Sequence, residues 1–102
     1  MESQRSIRID ADSLDGYDLS RHDLGWTLFD EVELNGTNFA QANLEMANFV
    51  SARLTGCNFS GAMLKNADFT DAILNNCCFD GADLTRAKFL RTQLIDCSGL
   101  EL

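Results

Sequence analysis

Large apolar residues stand at every fifth position through most of this chain, and from Leu24 onward leucine and phenylalanine alternate. A small residue, usually alanine or cysteine, precedes most of them by two positions. This spacing matches neither the turn of an α-helix nor the two-residue alternation of a flat strand. All of these side chains face one interior only if the backbone turns a corner once per unit. The seventeen predicted core centres are Leu14, Leu19, Leu24, Phe29, Leu34, Phe39, Leu44, Phe49, Leu54, Phe59, Leu64, Phe69, Leu74, Phe79, Leu84, Phe89 and Leu94.

Four such corners close a square coil of about twenty residues, and successive coils stack at the strand spacing of ~4.8 Å. Two of the resulting columns of centres hold only leucine, and the other two hold phenylalanine apart from Leu19. Each coil then supplies two large and two medium side chains, so the core volume per layer is constant and rings stack on rings. The pattern predicts an all-β fold, a four-sided parallel β-helix of about four coils.

Two polar features agree with corners at this spacing. The residues two positions after the centres of the first wall are types that tolerate the positive φ of a type II turn: Gly16, Gly36, Gly56, Asn76 and Asp96. The residue before a centre is often Asp or Asn, whose short side chain hydrogen-bonds nearby backbone and favours turns. These residues are Asp18, Asp23, Asn38, Asn43, Asn48, Asn58, Asp68 and Asp83.

The five-residue spacing also predicts where the β-helix begins and ends. Residues 1–8 carry no repeat, and we expect a partly disordered lead. The β-helix is predicted over residues 9–98, with Ile9 at the centre of a degenerate first unit. The next expected centre after Leu94 is Gly99, so the frame fails there and residues 99–102 form a tail.

The repeated motif Ala-(Asp/Asn)-(Leu/Phe)-X-X resembles that of the pentapeptide-repeat family over about residues 12–96. Its best copies begin at Ala42, Ala47, Ala67 and Ala82. The resemblance implies a right-handed quadrilateral β-helix. It implies little about activity, because most members have no known biochemical function. A subset of the family inhibits or protects DNA gyrase by resembling duplex DNA in shape and charge.

The net charge of the chain and its distribution limit the classes of partner that the protein can bind. The net charge of −8 argues against direct binding of nucleic acid phosphates. Residues 10–33 hold eight acids and one base, a local charge of −7, whereas residues 52–102 are nearly neutral at −1. The acidic end serves either solubility or docking of a basic partner. The sequence contains no signal-peptide core and no apolar run long enough to cross a bilayer, so we expect a cytoplasmic protein that does not bind membranes.

Several single residues have two interpretations each. Tyr17 and His22 occupy positions that are small elsewhere, and we expect them to tilt and cap the N-terminal end; the alternative for His22 is a ligand role. Trp26 and Met46 face outward on neighbouring coils, as either a contact patch or plain surface.

The cysteines fall into two groups. Cys57, Cys77 and Cys97 share one inward column, either as buried thiols or, with poorer geometry, as a stacked disulfide. Cys78 precedes a centre and is predicted to be an exposed thiol. The sequence contains no catalytic, metal-binding or cofactor-binding motif, so none of these sites is expected and the protein is predicted not to be an enzyme.

The sequence therefore favours a non-enzymatic structural or protein-interaction module whose protein partner it does not name. The alternative is a DNA mimic that binds DNA gyrase and inhibits or protects it. Length argues against the mimic, because four coils at ~4.8 Å span roughly 20 Å, little more than half of a DNA turn of ~34–36 Å.

The C-terminal end carries a further prediction. The Phe79 ring lacks a centre above it and is expected to be uncovered, with only Leu94, Leu100 and Leu102 available as a shield. The acidic N-terminal end should repel its own copy. We therefore expect an end-to-end homodimer through the C-terminal coil.

Overall fold

The computed structural model describes residues 14–100, which form a stack of four-sided coils. The strands are β1 (Glu33–Asn35), β2 (Arg53–Thr55), β3 (Ile73–Asn75) and β4 (Gln93–Ile95). They pair in parallel in the order β1-β2-β3-β4, and their partners are twenty residues apart, as in the pair Leu34 and Leu54. This register confirms the twenty-residue coil. The predicted lead (residues 1–8), Ile9 and Leu102 lie outside the described residues.

Isolated parallel bridges with the same offset join the coils elsewhere, for example Asn38 with Asn58 and Asn48 with Asp68. We number the walls by their centres. The first wall holds Leu14, Leu34, Leu54, Leu74 and Leu94; the second holds Leu19, Phe39, Phe59 and Phe79; the third holds Leu24, Leu44, Leu64 and Leu84; the fourth holds Phe29, Phe49, Phe69 and Phe89. The predicted all-β class is confirmed.

Among the described residues only the first wall forms strands, and many units of the other three walls contain a local turn at an Asp or Asn. The carboxamide oxygen of Asn38 accepts a hydrogen bond from the N–H of Ala40 at 2.9 Å, and that of Asn48 accepts one from Val50 at 2.8 Å. All eight Asp and Asn residues predicted to favour turns accept the N–H two positions on in this way. The first wall has Glu33 and Arg53 at the equivalent position and stays extended.

The backbone adopts positive φ at every corner, which is more widespread than the sequence indicated. The glycine column was expected, but Arg21 (φ 62°), Gln41 (φ 59°) and Ser51 (φ 61°) have the same conformation. The conformation recurs at the same position of every described unit, so it is set by that position and not by the side chain.

The corners after Leu34, Leu54 and Leu74 lack the usual turn hydrogen bond, and a cysteine thiol of the next coil lies against each of those carbonyl oxygens. The Leu14 corner keeps its bond, which the Tyr17 N–H donates at 3.0 Å. The Thr37 hydroxyl donates to the carbonyl of Leu14 at 2.7 Å, and the Cys57 thiol lies 3.6 Å from the carbonyl of Leu34. Threonine and cysteine at this position therefore make a hydrogen bond between coils that alanine could not make.

The core is a continuous stack of phenylalanine rings and leucine side chains. Eleven successive centres, from Phe29 to Phe79, have no solvent-exposed surface. Rings within one wall stack nearly parallel, as in Phe39 and Phe59 at 5.0 Å, and rings of different walls meet edge to face, as in Phe49 and Phe59 at 5.8 Å. The predicted ring stacking is confirmed.

Burial decreases at both ends of the described stack. Leu14, Leu19, Leu24, Leu84 and Phe89 are partly buried against the core, and Leu94 is 36% exposed. Those six residues are the predicted centres that are not fully enclosed.

The expectation that Phe79 is uncovered is wrong, because its side chain is fully buried. The Gly99 backbone lies against the main chain of Phe79 and Asp80: a Cβ added at Gly99 would come within 2.4 Å of the Phe79 carbonyl carbon and the Asp80 amide nitrogen. Leu100 also packs on the core. Glycine at the position of the next expected centre therefore allows two segments of main chain to approach closely.

Candidate interaction surface

The outward side chains form rows along the stack, each row joining positions twenty residues apart. On the first wall the row reads Asp15, Asn35, Thr55 and Asn75. The backbone N–H and the side-chain amide of Asn35 donate to the two carboxylate oxygens of Asp15, at 2.9 and 3.3 Å. Hydrogen bonds along a row fix its side chains, so the surface is ordered as well as regular.

Arginines at the corners extend this ordering. Arg91 donates two hydrogen bonds to the Asp71 carboxylate, at 2.7 and 3.1 Å, one coil away. This pairing lowers the pKa of Asp71 and raises that of Arg91. Arg86 reaches Asn66 at 3.2 Å in the same manner. The positive φ of a corner thus aims a long side chain along the stack.

Charge is divided unevenly between the coils. Residues 14–50 contain seven acids and one arginine, a net charge of −6, whereas the charges of residues 51–100 cancel. The Ser20 hydroxyl and N–H lower the pKa of Asp18, and the Thr85 hydroxyl and N–H lower that of Asp83. These aspartates therefore stay ionised at neutral pH.

The predicted N-terminal cap residues both lie at the surface of the first coil. Tyr17 is 53% exposed. His22 is exposed, and its Nδ1 atom lies 2.9 Å from the carbonyl oxygen of Ser20. Their capping role stays a prediction.

The described part of the chain contains no group of three or more His, Cys, Asp or Glu side chains arranged to hold a metal ion. Within the same residues, no helix has the length and apolar character needed to cross a bilayer.

The four cysteines are free thiols, and they differ in how deeply they are buried. Cys57 and Cys77 are buried, as predicted, and the hydrogen bond to Cys57 together with burial raises the pKa of the Cys77 thiol. Burial also raises the pKa of Cys97. Cys78 is half-buried rather than exposed, because Asn58 and Ser98 flank it on the neighbouring coils.

A depression of about 430 Å³ opens at the C-terminal coils and is lined by Asp80, Gly81, Ala82, Leu84 and Gly99. Its walls are mostly small side chains and backbone. It offers one carboxylate and no basic group, so it has no pair of groups for acid–base chemistry.

Two exposed apolar residues interrupt the polar surface of the acidic coils. Trp26 is 41% exposed and Met46 is 38% exposed, and they occupy successive positions of the corner between the third and fourth walls. The twenty-residue period predicts that these two residues are neighbours on successive coils, and they occupy those positions in the structure.

Solved structures similar to this chain are pentapeptide repeat proteins. A protein of that type from Nostoc PCC 7120, alr5209, is 29% identical over 92% of this chain and 84% of its own length, with a TM-score of 0.77. HetL, which is involved in heterocyst differentiation regulation in Nostoc sp. strain PCC 7120, is 27% identical over 95% of this chain, with a TM-score of 0.80.

Rfr23 from the cyanobacterium Cyanothece 51142 is 29% identical over 78% of this chain, with a TM-score of 0.67. The match spans 58% of the length of Rfr23 and 47% of that of HetL. No curated protein matches the sequence. The family described as Pentapeptide repeats matches residues 33–71 and 62–98, with eight copies of its repeat. The chain belongs to the pentapeptide repeat family, and its fold is that family's right-handed quadrilateral β-helix.

Proposed function

We propose that this chain is a non-catalytic module of the cytoplasm that binds another protein through its ordered outward rows. One observation carries the proposal: the interior of the described coils is filled by apolar side chains, and no buried side-chain nitrogen or oxygen there lacks a hydrogen-bond partner. The chemistry that the solenoid offers therefore lies on its surface. Regular rows on a rigid repeat suit contact with a macromolecule, and four free cysteines suit a reducing compartment.

The ionisable groups support a non-catalytic role. Asp18, Asp71 and Asp83 have lowered pKa values, so each stays charged at neutral pH. A general acid needs a raised carboxyl pKa instead. The thiols with raised pKa, Cys77 and Cys97, are protonated and poor nucleophiles.

Affinity capture from an extract of the native host tests this function, with heat-unfolded protein as the control. A captured protein should bind the purified folded chain in a saturable calorimetric titration and should not bind the unfolded chain. A captured small molecule that the chain converts to product would contradict the proposal.

A second copy is the proposed partner of the C-terminal coil. Leu90 and Ile95 are exposed beside Leu94, and Leu84 and Phe89 are only partly buried. Strand β4 pairs with β3 on one side, and no described strand pairs with its other side. An apolar end with a free strand edge favours association, whereas the acidic first coils repel one another.

Sedimentation equilibrium tests the dimer. The wild type should show a monomer–dimer equilibrium, and the double variant Leu94→Asp, Leu100→Asp should be a monomer. Met63→Asp, a charge placed at an exposed residue of the middle coils, is the control and should dimerise like the wild type. A wild type that remains monomeric at high micromolar concentration contradicts the dimer.

A DNA mimic acting on gyrase is the second candidate, and the charge of the first coils is the observation that favours it. Duplex DNA carries its charge evenly along its length. Here residues 14–50 carry a net charge of −6, whereas the charges of residues 51–100 cancel. Half of the described solenoid therefore lacks the negative electrostatic field of a DNA duplex. For this reason we prefer the protein-interaction module over the DNA mimic.

A further inference from the structure

Trp26 and Met46 form a small apolar ridge, here called the Trp–Met ridge, on the corner between the third and fourth walls. The ridge is rigid, because the Trp26 N–H donates to the Glu45 carbonyl at 2.9 Å and the Met46 N–H donates to the Lys65 carbonyl at 3.0 Å. Both side chains therefore project from backbone that the next coil holds in place. Farther along, the same corner carries Asn66 and Arg86, which are polar.

The backbone conformation of the ridge is unfavourable for its residues. Trp26 has a φ of 66° and Met46 a φ of 62°. Bulky side chains rarely adopt this left-handed region, which favours Gly, Asn and Asp. Other corners in the stack use Gly36, Gly56 or Asn76. Every corner of the stack shares this conformation, so what distinguishes the ridge is the pairing of two large apolar side chains at successive corners, both exposed.

The charges around the ridge specify what it can bind. Glu45 directly precedes Met46, with Lys65 beside it one coil farther on, and Asp23 and Glu31 lie exposed on the neighbouring wall and corner; these four residues carry a net charge of −2. The half-buried Leu28 extends the apolar surface onto the fourth wall. Trp is strongly enriched at interaction hot spots, and Met adapts to varied apolar partners. An indole face also attracts Lys and Arg.

We propose that the Trp–Met ridge docks a basic amphipathic helix of a partner protein, an inference that rests on the interaction function proposed above. Leucine-like side chains of the helix pack on Trp26 and Met46. Its Lys and Arg residues face Asp23, Glu31 and Glu45. Anionic phosphates of nucleic acids and of lipid head groups are repelled by the same acids.

The chain reports on this site directly, because Trp26 is its single tryptophan. The probe is a peptide of about 18 residues, five helical turns, with lysine and leucine on opposite faces and no aromatic residue. One comparison peptide replaces lysine with glutamate, a second replaces leucine with serine, and phosphatidylcholine vesicles form a further arm. Only the Lys/Leu peptide should shift Trp26 emission to shorter wavelength, saturably and less strongly as salt rises.

A matched pair of variants locates the contact. Met46→Ser should weaken binding of the Lys/Leu peptide at least about tenfold, and Met63→Ser should change it by less than about twofold. Met63 is 42% exposed, close to the 38% of Met46, and lies on the third wall rather than on the ridge corner, two coils from Asp23. Thermal unfolding of both variants checks that each still folds.

An equal shift with the glutamate peptide or with vesicles overturns the proposal, as does an equal loss in the two methionine variants. If the Lys/Leu peptide leaves Trp26 unchanged while a captured host protein still binds the folded chain, the ridge is overturned and the interaction function stands. The earlier capture test decides that function independently.

Discussion

Residues 14–50 and residues 51–100 are built on the same frame and present different surfaces. Their centres stack into one core of leucine and phenylalanine. The first set carries a net charge of −6 and the exposed Trp26 and Met46, whereas the second is neutral in net and ends in partly exposed apolar centres. The repeat thus determines the interior and leaves the outward positions free to differ between coils. We infer that the two ends serve different contacts.

Burial, too, differs between coils at equivalent positions. Phe59 is enclosed by coils on both sides, whereas Phe89 is only partly buried. Phe59→Ala should cost ~3–5 kcal/mol of unfolding free energy, and Phe89→Ala roughly half as much. Urea unfolding measures both. Equal losses of unfolding free energy would show that position in the five-residue repeat, rather than coverage by neighbouring coils, determines the contribution of a centre to stability.

Thiol labelling sharpens the same comparison. A thiol reagent in native buffer should modify Cys78 first and Cys97 next, with Cys57 and Cys77 protected until the chain opens. We expect a difference of about 100-fold or more between Cys78 and Cys57. Mass spectrometry of timed samples resolves the four sites. Rapid labelling of Cys57 would refute its place in the buried column.

Backbone strain at the ridge predicts a smaller effect. Met46 has positive φ and Met63 does not, although both are similarly exposed. Glycine relieves strain only at positive φ, so Met46→Gly should cost ~1 kcal/mol less than Met63→Gly. Thermal unfolding of the pair measures the difference. Identical costs would mean that the ridge stores no strain.

An outward residue of a middle coil should matter least for stability. Thr55→Ala should change the free energy of unfolding by less than about 0.5 kcal/mol, because its side chain faces solvent on strand β2. The measurement uses the same urea titration as Phe59→Ala. A loss as large as that of Phe59→Ala would mean that the inward and outward positions are misassigned.

We expect no effect in a gyrase supercoiling assay at low micromolar protein, with or without a quinolone. The reason is the neutral net charge of residues 51–100, which leaves half of the solenoid unlike a duplex. Potent inhibition or protection would favour the DNA mimic over the interaction module.

Most of the fold follows from the sequence because one rule applies at each unit. The fixed spacing of centres gives the coil, and the Asp and Asn residues that precede many of the centres give their local turns. The positive φ at Arg21 and Ser51 could not be predicted, since the residue type carries no signal for it. The turn geometry imposes that conformation through hydrogen bonds to the next coil.

The surfaces were less predictable than the core. Side-chain burial outside the core depends on neighbours twenty residues away, so Cys78 is half-buried by Asn58 and Ser98 although its own position faces outward. The burial of Phe79 was not predicted either: no centre follows it on its wall, yet its side chain is fully buried, and Leu100 packs on the core nearby. The distinct role of Cys57 was signalled by its column, where Thr37 also replaces alanine.

Hydrogen–deuterium exchange with and without the saturating Lys/Leu peptide tests the division of contacts between the two ends most directly. We expect slower exchange in fragments covering residues 23–50, which contain the Trp–Met ridge, and unchanged exchange in residues 84–100. Slower exchange confined to residues 51–100, or spread evenly over the solenoid, would contradict this expectation.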